Sequence, residues 1–123
     1  MYDDLEVSSG NEIFIMEFKS LQTIYFNECP SKERTTATQW DKDILSKKPK
    51  DQLLNMVGTF FLHDTRNATP NVSVRQVLEK AKTQLAGYMQ ITKTKNPTKT
   101  VHGYVLIRVG LSAIISHKMD SIE

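Results

Sequence analysis

Apolar and polar residues alternate on either side of a Ser8-Ser9-Gly10-Asn11 turn, so Tyr2 to Lys19 is predicted to form a β-hairpin. In the second arm Ile13, Ile15 and Glu17 alternate with Phe14, Met16 and Phe18, which predicts a strand covered on both faces. Residues 20–50 are polar and mixed, with Cys29-Pro30-Ser31 and Lys47-Lys48-Pro49-Lys50 reading as loop. Within that stretch Trp40 to Leu45 fits a short helix or a packed loop. Asp51 to Val57 fits one or two helical turns stopped by Gly58, and Phe60, Phe61 and Leu62 are expected in the core.

The strongest helical signal runs from Ser73 to about Gln90. Ser73 and Gln76 form a capping-box pattern, with Pro70 just ahead. Val74, Val77, Leu78, Ala81, Leu85, Tyr88 and Met89 recur at helical spacing and make one apolar face. Thr92 to Thr100 reads as a basic loop, Val101 to Val109 as a strand, and Leu111 to His117 as a last strand after Gly110. The order is hairpin, irregular insert at about 20–70, helix, strand, strand. That predicts one α/β (α+β) domain over 1–123, a small mixed sheet with one long helix packed across it.

Composition narrows the class. The chain has 123 residues, 39% hydrophobic and 24% charged, which suits one domain with one modest core. No apolar run approaches the roughly 20 residues needed to span a bilayer. The first residues are acidic rather than basic and then apolar, which points away from a signal peptide and toward cytoplasm or nucleus. One cysteine, Cys29, excludes an internal disulfide and any multi-cysteine zinc site. The net charge of +2 is unevenly spread. Residues 1–17 hold five acids and no Lys or Arg, whereas residues 72–119 hold eight Lys or Arg and one acid, Glu79. An acidic corner beside a basic half suits a metal and a polyanion together, although solvated lysine-rich surfaces give the same count.

Glu17 and Lys19 are two apart on a strand and share a face. The turn brings Asp3 or Asp4 across from residue 16 or 17, gathering two carboxylates and one ammonium at a sheet edge. Two carboxylates with a backbone carbonyl make an oxygen site for Mg2+ or Mn2+, and an adjacent Lys can orient water or offset phosphate charge. An ordinary surface ion pair uses the same residues.

"DDL", a short turn and then "IFIMEFK" resemble the core of the PD-(D/E)XK nuclease superfamily. Gln84-Leu85-Ala86-Gly87-Tyr88 resembles the Q-x-x-x-Y element of its RecB-like members. The helix-then-strand tail is similar to the nuclease-like domains of fungal AAA-ATPase-like proteins and Crinkler-type effectors. The resemblance implies a restriction-endonuclease-like core and a Mg2+- or Mn2+-dependent endonuclease. Asp4 and Glu17 would hold the metal with the carbonyl of Phe18, and Lys19 would be the catalytic lysine. Asp3 is the alternative to Asp4 if the register differs by one. Gln84 and Tyr88 would help hold nucleic acid, DNA before RNA. The family's Pro before the Asp is replaced by Asp3. Its usual helix ahead of the hairpin has no counterpart here, and a homodimer is one way to supply what such a helix provides.

Arg108 lies inside an apolar strand, so it calls for a carboxylate partner or a phosphate. His63, His102 and His117 are expected at the surface or as satisfied core residues. Lys80 and Lys82 flank the long helix's apolar face, and Lys93, Lys95 and Lys99 form a loop able to touch backbone phosphates. Two other classes stay open: a catalytically silent, nuclease-derived nucleic-acid-binding or effector module, and a protein-interaction domain.

Overall fold

The structure, a computed structural model, describes residues 3–62 and 66–123, without the side chains of Asp3 and Asp4. His63 lies outside the described residues. Strand β1 (Asp3–Ser9) turns through Gly10 and Asn11 into β2 (Glu12–Leu21). Gly10 has φ +59°, the positive value that the first position of a II′ turn requires. The long helix α3 (Val74–Lys95) then carries the chain down to β5 (Thr100–Val109), and β6 (Ala113–Lys118) returns beside it. The sheet order is β1-β2-β5-β6, with β2 and β5 parallel and the outer pairs antiparallel. This is a mixed α+β fold with a mixed sheet and one long helix across it.

Helix α3 forms where the capping box predicts. Ser73 Oγ accepts from the Gln76 amide at 3.1 Å, and Gln76 Oε1 accepts from the Ser73 amide at 2.8 Å. Val77, Leu78, Ala81, Leu85 and Met89 are buried against Ile13, Ile15, Val101, Val105 and Ile107 of the sheet. Gly103 lets the helix come close. A Cβ there would collide with Met89 Sδ and stand 3.2 Å from Leu85 Cδ2.

Four expectations are corrected. The helix runs on to Lys95, because Thr92 is still buried and Lys93 reaches forward to the carbonyls of Pro97 and Lys99 at 3.0 and 2.7 Å. Cations in the last turn suit the helix dipole. Strand β2 is covered on one face, not two. Phe14, Met16 and Phe18 share the outer face with Tyr104 and Leu106, and none of the five is buried. No second layer lies over that face among the described residues. The insert is more regular than its composition suggests. It holds α1 (Arg34–Asp43), α2 (Lys50–Leu54) and a two-stranded sheet of β3 (Val57–Phe60) and β4 (Thr69–Ser73). Phe60 is buried and Leu62 packs against the core, but Phe61 is 60% exposed.

Candidate functional site

The two-residue turn sets the register of the first hairpin. Asp4 pairs with Glu17 and Asp3 with Phe18. Of the two aspartates, Asp4 therefore holds the position across from Glu17. Parallel pairing sets Glu17 beside Val105 and Lys19 beside Ile107. Ile13, Ile15, Glu17 and Lys19 point toward α3, since Ile13 and Ile15 belong to the core beneath it.

Glu17 is only 2% exposed, an unusual depth for a carboxylate. Lys19 Nζ lies 3.6 Å from Glu17 Oε1, with its side chain a quarter exposed (25%). The lysine thus spans from the buried carboxylate to the rim. Placing a carboxylate at this depth costs several kcal/mol by itself, so nearby positive charge is needed. Among the described residues Phe18 is the last position of β2 paired with β1. A backbone carbonyl there has a second lone pair to offer.

The level of Gln84 follows from the helix packing. Met89 and Leu85 lie over Gly103, which pairs with Ile15. Glu17 is two residues further along β2, about 6.6 Å. That rise equals about four helix residues toward the N-terminus of α3, the turn that carries Gln84. Gln84 Oε1 is buried and has no hydrogen-bond partner among the described residues. Tyr88, one turn on, is 41% exposed. Both are on α3 as expected, but only Gln84 places a polar atom inside the protein.

Arg108 departs from half of its expectation, having no carboxylate partner among the described residues, and its contact with a phosphate is untested. It is exposed on the outer face, and its Nε and Nη2 donate to the Leu111 carbonyl at 3.2 and 2.8 Å. A carbonyl satisfies it, with no carboxylate. His102 stacks on Phe14 at 4.7 Å between ring centroids and contacts Glu12 Oε1 and Ser121 Oγ at 3.2 and 2.9 Å. It fastens the segment after β6 to the sheet.

Sequence reasoning missed Asp41. This carboxylate is 1% exposed, and its Oδ2 accepts from Thr23 Oγ1 at 2.6 Å and from the Leu111 amide at 3.0 Å. It clamps the end of β2 to the β5–β6 turn. Helix α1 exists to deliver it, and its N-cap is Glu33. The Glu33 carboxylate accepts from the amides of Thr35 and Thr36 at 3.0 and 2.9 Å and from Thr36 Oγ1 at 2.7 Å. The Thr36 hydroxyl first, then these amides, lower its pKa from 4.5 to about 2. The cap is therefore fully in force above pH 4.5 and is lost as pH falls through about 2. The Thr35 and Thr36 amides are expected to lose protection against exchange, measured relative to their intrinsic rates at each pH, across that window. The Glu33→Gln variant should show no such acid step.

Comparison of the chain with protein-family models, with curated proteins and with solved structures finds no match. Among the described residues no group of three His, Cys, Asp or Glu side chains could hold a metal. No helix among them is long and apolar enough to cross a membrane.

Proposed function

We propose that the Asp4–Glu17–Lys19 corner is a metal-dependent phosphodiesterase site of PD-(D/E)XK type, acting on nucleic acid, DNA before RNA. The observation that carries the reading is the register: Asp4 stands across from Glu17, and Lys19 lies 3.6 Å from the buried Glu17 carboxylate. The order hairpin, helix, parallel strand in a mixed sheet is compatible with the restriction-endonuclease-like core that the resemblance implies, and supports the reading to that extent. The donor set suits Mg2+ or Mn2+, since Asp4, Glu17 and the Phe18 carbonyl are all hard oxygen donors. Bound there, such an ion would polarise a phosphodiester oxygen and acidify a water.

The chain's own residues supply the rest. Glu17, buried beneath α3, holds its carboxylate oxygens at one place. Lys19 keeps an ammonium beside it to orient the attacking water and offset charge building on the phosphate. Gln84, level with Glu17, offers its unpartnered oxygen to a water or a substrate amine. Tyr88 presents a ring at the surface that a base can stack on.

Plasmid nicking tests the activity. Wild-type protein with Mn2+ is expected to convert supercoiled to open-circular DNA, and Glu17→Gln to lose this by at least about a hundredfold. Equal nicking by the two proteins would exclude the site. Nucleic-acid binding without nicking would favour the alternative, a catalytically silent binding or effector module.

A further inference from the structure

A second site lies at the C-terminal end of β2, just past Lys19. Ser20, Gln22, Thr23 and Ile24, the start of α1, and the β5–β6 turn enclose a cleft of about 390 Å³. Three cations line it: Lys32, Arg34 and Arg108. Lys32 and Arg34 are exposed, and neither is paired with a carboxylate among the described residues. Arg108 is already aimed, because its two bonds to the Leu111 carbonyl hold the guanidinium at the rim. The segment bearing the other two is tied down as well. Cys29 Sγ donates to the Ser31 carbonyl, and Ser31 Oγ accepts from the Glu33 amide at 3.0 Å.

Two carboxylates stand nearby, and both are engaged. Glu33 caps α1, so the Thr35 and Thr36 amides are taken, and the cations lining the cleft are side chains. Asp41 lies behind the wall, bonded to Thr23 and Leu111. Neither lines the cleft. Ser20, Gln22, Thr23 and Thr38 complete a lining rich in polar residues. The volume exceeds what an inorganic oxyanion fills and falls within the range of small-ligand sites. Ile24, Ala37 and Leu111 give it an apolar wall.

We infer that this cleft binds a phosphate group carrying an organic substituent the size of a sugar. Guanidinium groups match phosphate oxygens, and a cluster of uncompensated cations is relieved by an anion. The phosphate belongs either to a nucleic-acid backbone or to a free phosphorylated compound. Ser20 is three residues past Glu17 on β2, about 10 Å along the strand and on its opposite face, paired with Arg108. The first source, which rests on the function proposed above, makes the cleft a contact for a more distant stretch of the same nucleic-acid strand, beyond the sheet end.

The test is an NMR titration without metal, following the backbone amides of Ser20, Gln22, Thr23 and Leu111. Phosphate stabilises proteins in general by exclusion from their surface, so saturable local shifts are required rather than a raised Tm. Inorganic phosphate is expected to shift these amides with saturation in the range of about 1–10 mM. A Lys32→Glu/Arg34→Glu variant, altered only at exposed positions, should weaken binding by at least about tenfold with its spectrum otherwise native. A short single-stranded oligonucleotide moving the same amides at lower concentration identifies a backbone phosphate. Saturation by phosphate and by a nucleoside monophosphate, with no response to the oligonucleotide, identifies a free phosphorylated ligand. No saturable shift with any probe, or one unchanged in the variant, overturns the inference. Nicking and metal binding at Glu17 are read separately, so that failure leaves the proposed function standing.

Discussion

Replacing Gly110 by Ala should destabilise the protein by about 3 kcal/mol, among the largest losses expected from adding one methyl group. Two causes combine. Gly110 has φ +68°, where an L-residue with a Cβ loses about 1–2 kcal/mol. The added Cβ would also collide with Asp41 Oδ2 and stand 2.7 Å from Leu45 Cδ2. Leu45 is fully buried, and Asp41 is held by Thr23 and Leu111, so neither can retreat. Overpacking of that kind costs about 1–3 kcal/mol. Urea denaturation of the two proteins measures the loss. A change below about 0.5 kcal/mol would mean that the Asp41 clamp yields, and that it does not fix the end of β2 as described.

The Lys19→Met variant should lose nicking by about a hundredfold or more, roughly 3 kcal/mol of barrier, while the protein remains folded. The buried Glu17 then lacks its ammonium neighbour, so stability should also fall, by about 1–2 kcal/mol given that Lys19 is a quarter exposed. The double variant Glu17→Met/Lys19→Met separates the two effects. Removing both members of a buried pair is often neutral for stability, so the double variant should regain stability and stay inactive. If Lys19→Met nicks normally, the lysine is a structural counter-ion and nothing more.

How far each feature was legible follows from how local its cause is. The first hairpin, α3 and β5 are written in short-range signals: a two-period pattern about Gly10, a capping box at Ser73, and the apolar run of Val101 to Val109. Glu17 and Lys19 share a face because the strand period is two, and that needs no structure. Choosing Asp4 over Asp3 needs the turn, since moving the loop by one residue moves every partner. Helix α1 is poorly legible because only Ala37 and Asp41 of its ten residues are buried, and its cap is a Glu rather than Ser, Thr, Asp or Asn. Its apolar stripe is too thin to register. The naked outer face could not be read either. Phe14, Met16 and Phe18 look like core residues in sequence, and exposure depends on whether another layer arrives. The cation cleft joins Ser20, Lys32 and Arg108 from three separate segments, a coincidence only the fold creates.

Calorimetric titration of Mn2+ into wild-type protein, Asp4→Asn and Glu17→Gln decides whether the hairpin corner is a metal site. The register that sets Asp4 across from Glu17 predicts one Mn2+ bound by the wild type at or below about 1 mM, with each variant losing at least tenfold in affinity. A natively folded wild type that binds no Mn2+ at that concentration, or variants that bind as the wild type does, would contradict it. The buried carboxylate would then be an internal ion pair with Lys19.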